Sequence, residues 1–167
     1  MTPTATARGR ANRRKGADAE RAVARYLRTQ GFPHAERAVR TSYTTPDGRT
    51  TLDPLDIVGI PGVVISVKND ASQQITKWWD EAERIGNHHG ATLSLLIVRQ
   101  RGKADVSRWW VWVNLRTLAR ALHSPDVSSL PALSGRARME LGEFVPMLHR
   151  AVYGDAHGNS EPNGGIA

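Results

Sequence analysis

Hydrophobic positions along this chain switch between helical and strand spacings, and the switches mark its elements. Val23 and Leu27 stand one helical turn apart in a segment that predicts a helix from Lys15 to about Gln30, with Gly31 as its stop. Ala35 to Ser42 reads as a short strand, and Thr45-Pro46-Asp47-Gly48 as a turn. Asp56 to Ile60 and Val63 to Lys68 are two apolar runs joined across Pro61-Gly62, a hairpin signal. Ile75, Trp78, Ala82 and Ile85 form a helical stripe that predicts a second helix from Ser72 to about Gly86. Thr92 to Arg99 suits a buried strand, and Ser107 to Val113 another, linked through Arg101-Gly102-Lys103. Leu115 to Leu122 predicts a helix, Ser124 to Gly135 a loop rich in Pro and Ser, and Leu141 to Val152 a last short helix. Residues 1–14 and 154–167 carry no such pattern and are expected to be a basic disordered arm and a disordered tail. The order α-β-β-β-α-β-β-α describes one α/β domain, residues 15–153, whose central mixed β-sheet is flanked by helices.

Composition narrows the classes. The chain has 167 residues, 40% hydrophobic and 23% charged, the balance of one globular domain. A chain of this length buries roughly two thirds of its unfolded surface, so no metal or disulfide is needed to hold its core. Cysteine is absent, which excludes disulfide scaffolds, zinc ribbons and thiol nucleophiles. No apolar stretch approaches the roughly 20 residues of a spanning helix, so no membrane partner is expected. No apolar segment follows the basic opening, so a secretory leader is not expected either.

The net charge is +7, and Arg8, Arg10, Arg13, Arg14 and Lys15, with no acid among residues 1–15, supply +5 of it. Such an arm either meets nucleic-acid phosphates or merely solubilises the chain, and both readings stand. Arginine greatly outnumbers lysine; a GC-rich genome produces that bias without any function. It leaves Lys68 conspicuous as one of only four lysines.

Local logic breaks at three places, and such breaks tend to coincide with functional sites. Glu20 lies three residues before Val23, on the buried side of the first helix, where a carboxylate belongs either at the water's edge or against the sheet. Asp56 opens an apolar strand, either as a turn residue or as a functional acid. Lys68 closes a β-branched run, with Val64 and Ser66 on its face by strand alternation. If Pro61 centres a three-residue loop, Asp56 falls opposite Ser66 and close to Lys68. Taken together, two carboxylates and a lysine can bind Mg²⁺ and neutralise charge on a scissile phosphate. A plain salt bridge is the alternative.

The run Lys15-Gly16-Ala17-Asp18-Ala19-Glu20-Arg21, then Gly31-Phe32, Arg37 and Arg40, Asp56-Ile57-Val58 and Ser66-Val67-Lys68-Asn69 resembles the PD-(D/E)xK nuclease superfamily. The resemblance is nearest to archaeal-type Holliday junction resolvases and their phage and bacterial relatives, and covers about Lys15 to Val98. It implies a restriction-endonuclease-like core and a metal-dependent, structure-selective endonuclease that hydrolyses phosphodiester bonds in DNA recombination and repair. It further implies Mg²⁺, with Mn²⁺ as a substitute, a homodimer, a four-way DNA junction as substrate, and the cytoplasm of a bacterial or phage-infected cell. Glu20 would help hold the metal, Asp56 would be its central ligand and Lys68 the catalytic lysine. Arg37 and Arg40 would lie near DNA phosphates, and Arg13, Arg14 and Lys15 of the basic arm are the further DNA-contact candidates, on charge alone.

One departure matters: the family's glutamate two residues before the lysine is Ser66 here. Some restriction enzymes with Ser-x-Lys take the acid from the following helix, which makes Glu81 a catalytic and metal-ligand candidate and Glu83 a second. A silenced DNA-binding protein on the same scaffold, and a restriction or repair nuclease acting on duplex or flapped DNA, are the other readings. Trp109, Trp110 and Trp112 alternate across a strand and are expected in the core. His88 and His89 are expected to end the second helix with their rings pointing apart, and Glu140 and Glu143 to be solvated helix residues. No Gly-rich phosphate loop occurs, so no nucleotide cofactor is expected.

Overall fold

The computed structural model describes residues 5–39, 42–44, 50–52, 55–122 and 135–154. Its first helix, α1 (Ala5–Thr29), begins well before the expected Lys15. Alanine and arginine are strong helix formers, and a formed helix extends at the cost of one residue per added hydrogen bond. The early turns therefore need no apolar stripe, and Arg10 to Lys15 are all exposed. The part of the basic arm from Ala5 onward is thus helical and continuous with the domain. Farther along, Ala19, Val23, Ala24 and Leu27 are buried. The helix ends in a Schellman motif: the Phe32 N–H donates to Leu27 O and the Gly31 N–H to Arg28 O, with Gly31 at φ +88°. Phe32 closes the motif by packing into the same core as Leu27.

A six-stranded mixed sheet follows, in the order β1-β4-β5-β6-β7-β8. Its strands are β1 (Glu36–Arg37), β4 (Ile57–Val58), β5 (Val63–Lys68), β6 (Leu93–Val98), β7 (Trp110–Asn114) and β8 (Arg136–Glu140), while β2 (Ser42–Thr44) and β3 (Thr50–Leu52) pair separately. Only β5 and β6 run parallel, because only they are joined by a crossover helix, α2 (Ile75–His88). Of the strand expected over Ala35 to Ser42, the described residues hold β1 and, at Ser42, the first residue of β2; Arg40, Thr41 and the turn at Thr45 to Gly48 lie outside the described residues.

Strand alternation sorts the side chains between two faces. Trp78, Trp79 and Ala82 of α2 pack on Leu96 and Val98, with Trp110 and Trp112 beside them. Ile65, Val67, Leu95, Ile97, Val111 and Val113 face the other way. There they meet α1, α3 (Leu115–Ala121) and α4 (Leu141–Tyr153). Trp109 joins this second cluster, so the tryptophan run does serve both faces.

The expected strand at Ser107 starts later because Asp105 caps a 3-10 turn, Val106–Arg108, accepting the Ser107 N–H at 3.0 Å. Hydrogen bonds from Ser107 hold the Asp105 carboxyl below its ordinary pKa. The whole of β8 escaped the hydrophobic pattern: Arg136 and Arg138 are exposed at the sheet's edge, while Ala137 and Met139 point inward. Glu140 is consequently the last residue of a strand rather than a helical one, and it pairs with Arg108 at 3.1 Å. The expected loop from Ser124 and the tail beyond Gly154 lie outside the described residues. Among the described residues no helix is long and apolar enough to cross a membrane.

The β4–β5 turn depends on Gly59, which adopts φ +89° and passes so close to His34 that an added Cβ would stand 1.7 Å from its carbonyl oxygen. Gly59→Ala is expected to destabilise the fold by at least about 2 kcal/mol. That corresponds to a melting temperature lower by roughly 4–8 °C. An unchanged melting temperature would show that this turn is not a constraint.

Candidate active site

The register of the hairpin creates the site. Ile57 lies opposite Ile65, which sets Asp56 across from Ser66 at the C-terminal half of β5. Asp56 is pinned from both sides. Its backbone oxygen accepts the Ala38 N–H at 2.9 Å, and its Oδ2 accepts the Val67 N–H at 2.8 Å. A half-buried carboxylate held by a backbone donor is preorganised and cannot swing into solvent without leaving a strand N–H unmade.

Lys68, the next residue along β5, extends its ammonium to Glu81 Oε2 at 3.1 Å. The two are 13 residues apart. They meet because α2 returns across the face of β5 and β6. Glu20, from α1, is 5% exposed and accepts from Arg37 Nε at 2.5 Å, so α1 is locked to β1 by an ion pair at the edge of the core. The reading of Glu20 as held against the sheet is the one that applies.

Glu20, Arg37, Asp56, Val67 and Lys68 line one open cleft of about 650 Å³, together with Arg13 and Arg14 from the helical part of the arm. Asn69, Asp70 and Trp78 also line it. Asp70 accepts the Ser72 N–H at 2.7 Å, and this bonding to Ser72 keeps its carboxyl below the ordinary range. The cleft therefore gathers Glu20, Asp56 and Lys68 from α1, the β4 entry and β5, rimmed by arginines. Arg40 lies outside the described residues, and Lys15 lines a neighbouring cavity.

Two acidic candidates stand elsewhere. Glu81 does not line this cleft; it is the partner of the Lys68 ammonium, with 43% of its side chain exposed. Glu83 accepts from Asn114 Nδ2 at 3.3 Å, on the β7 side of α2. Ser66 is 2% exposed and does not reach the cleft, so its position adds no oxygen ligand there. His88 and His89 close α2, but their rings meet edge-on with centroids 5.2 Å apart instead of diverging. Asp70 is a wall residue that the sequence did not single out, and Asn69 appeared there only as part of the Lys68 run; a polar pair directly after a buried strand was the available signal.

The donor set suits a hard cation. Mg²⁺ takes one or two protein carboxylates and fills its remaining positions with water and substrate phosphate oxygens. Asp56 and Glu20 match that modest share. Among the described residues no group of three or more carboxylates or imidazoles gathers as a fuller metal cage. No protein-family model, curated protein or solved structure matches the chain.

The Glu20–Arg37 pair gives a stability test. Arg37→Ala removes the guanidinium from a nearly buried carboxylate and is expected to cost about 1–3 kcal/mol, read from the urea midpoint. In a double-mutant cycle with Glu20→Ala the two losses should not add. Strict additivity would show that the pair contributes nothing.

Proposed function

We propose that this chain is a metal-dependent endonuclease acting on branched DNA, a Holliday junction resolvase-like enzyme of the PD-(D/E)xK type. The observation that carries this reading is the shared cleft of Glu20, Asp56 and Lys68 between Arg13, Arg14 and Arg37. Asp56 and Glu20 would hold Mg²⁺, or Mn²⁺ in its place. When bound, the cation polarises the phosphoryl group and makes water a better nucleophile. Asp56 contributes a carboxylate already oriented by the Val67 N–H. Lys68 orients the attacking water and offsets charge developing on the phosphate, and Glu81 fixes its ammonium in place through the ion pair. Arg13 and Arg14 draw the DNA backbone to the cleft from the exposed face of α1. Two copies acting as a homodimer would cut the two symmetry-related strands of a junction, in the cytoplasm of a bacterial or phage-infected cell.

A second reading has its own support. Ser66 is buried where the resemblance asks for a glutamate, and Glu81 lies on the lysine rather than in the cleft. Both fit a DNA-binding protein that keeps the nuclease scaffold without cutting. A restriction or repair nuclease on duplex or flapped DNA differs from the first reading only in substrate.

Cleavage of a labelled four-way junction beside a matched linear duplex, with Mg²⁺ and with EDTA, separates these. The expected outcome is paired nicks in the junction alone, abolished by chelation and lowered at least ~100-fold by Lys68→Ala. Cuts in the duplex as well would select the restriction or repair reading. Tight junction binding without cutting would establish the silent DNA-binding protein instead.

A further inference from the structure

The parallel strands β5 and β6 end together: Lys68 pairs with Val98, and the Arg99 N–H donates to Lys68 O at 2.9 Å. The next residues of both strands leave the sheet at one point, the C-terminal edge where open α/β sheets commonly bind ligands. A second cavity of about 310 Å³ opens there, and Asn69 and Asp70 line it as well as the first. Its cations are Lys15 from α1 and Arg99 and Arg101 from the β6–β7 connection.

The local geometry gathers these cations. Asn69 Nδ2 donates to the Lys15 backbone oxygen at 3.2 Å, tying α1 to the end of β5. Gly102, at φ +74°, turns the chain within a loop closed by the Lys103 N–H on Gln100 O at 3.2 Å. The Arg99 guanidinium lies 5.5 Å from the centre of the Trp109 ring, a cation–π contact that restrains it.

The charge balance differs from that of the first cavity. There Arg37 and Lys68 each have a carboxylate partner. Among the described residues none of Lys15, Arg99 and Arg101 forms a salt bridge. Asp70 is the acid of this cavity, held by the Ser72 N–H and within the field of Arg101, so one carboxylate stands against three cations. The exposed cations therefore leave an unbalanced positive site beside the candidate cleft, and an anion is its natural occupant.

We propose that Lys15, Arg99 and Arg101 form a second phosphate subsite, which grips a backbone phosphodiester of the bound DNA strand next to the one in the Asp56–Lys68 cleft. The proposal rests on the nuclease reading and adds the course of the strand: out of the cleft, past Asn69 and Asp70, and onto the β6–β7 connection. Arginine suits the task because its guanidinium can take a phosphate bidentately. The subsite holds DNA without touching the reacting phosphate, so it acts on affinity and salt dependence.

The test is fluorescence anisotropy of labelled four-way junction and duplex with the full chain in EDTA, between 50 and 200 mM salt. It compares the wild type, Arg99→Ala/Arg101→Ala, and a control pair, Arg116→Ala/Arg120→Ala, exposed on α3. All four side chains are exposed, and circular dichroism melts check that each variant folds. The Arg99/Arg101 variant should bind at least ~10-fold more weakly, with a log–log salt slope shallower by about 1 for the one phosphodiester released, and the control should match the wild type. An unchanged slope, or an equal loss in the control, would overturn the subsite while leaving the nuclease reading intact. Absence of DNA binding by the wild type would overturn both. Inorganic phosphate, followed through the Arg99 and Arg101 side-chain NMR signals, distinguishes a small-anion site. Saturation by free phosphate with an unaltered DNA salt slope would also contradict the proposal.

Discussion

A single register, Ile57 opposite Ile65, underlies the arrangement of the candidate site. It carries Asp56 to the flank of β5, where the carboxylate replaces a strand partner and takes the Val67 N–H. A slip of one residue would turn every side chain of β5 to the opposite face. Lys68 would then leave Glu81, and the apolar row of Ile65 and Val67 would leave the core beneath α1. Packing and chemistry are therefore enforced together: the hydrophobic alternation that buries the strand also aims the lysine. Gly59 makes the short connection possible by accepting a left-handed conformation against the His34 carbonyl.

The same economy of placement appears in the charges. Two charged pairs beside the core are matched across the fold: Glu20 with Arg37 from α1 to β1, and Lys68 with Glu81 from β5 to α2. Such pairs limit the penalty for taking charge out of water. Outside them, the arginines of α1 and of the β6–β7 connection stand exposed beside the two cavities. In the proposed function, this exposed positive charge beside the cavities is what would attract the DNA backbone. Ser66 is the point at which the donor set is thinner than the resemblance asks for.

Much of this was legible in the chain because it depends on local spacing. The loop length around Pro61 predicts Asp56 opposite Ser66, as found, and the stripe Ile75, Trp78, Ala82 and Ile85 anticipates the face by which α2 packs. What was not legible depends on partners distant in sequence. The pattern of the first helix sets Glu20 on its buried side, but only Arg37, 17 residues away, decides that the carboxylate is held against the sheet and not at the water's edge. Strand β8 was hidden because Arg136, Arg138 and Glu140 make an edge strand look like a loop, although Ala137 and Met139 keep the period of two. The early turns of α1 were hidden for the opposite reason: propensity alone sustains them, with no buried face to give a periodic signal. Glu81 was anticipated near the lysine, but only the tertiary geometry puts it on the ammonium instead of in the cleft.

The central claim is that Asp56 and its neighbours form a metal-dependent phosphodiester site. Manganese uptake by the junction-bound protein, followed by the loss of the free Mn²⁺ signal in electron paramagnetic resonance, tests it most directly. Uptake should saturate in the wild type and weaken at least ~10-fold in Asp56→Asn, which keeps the shape of the side chain but not its charge. Equal uptake by the two proteins, or none by the wild type, would contradict the account.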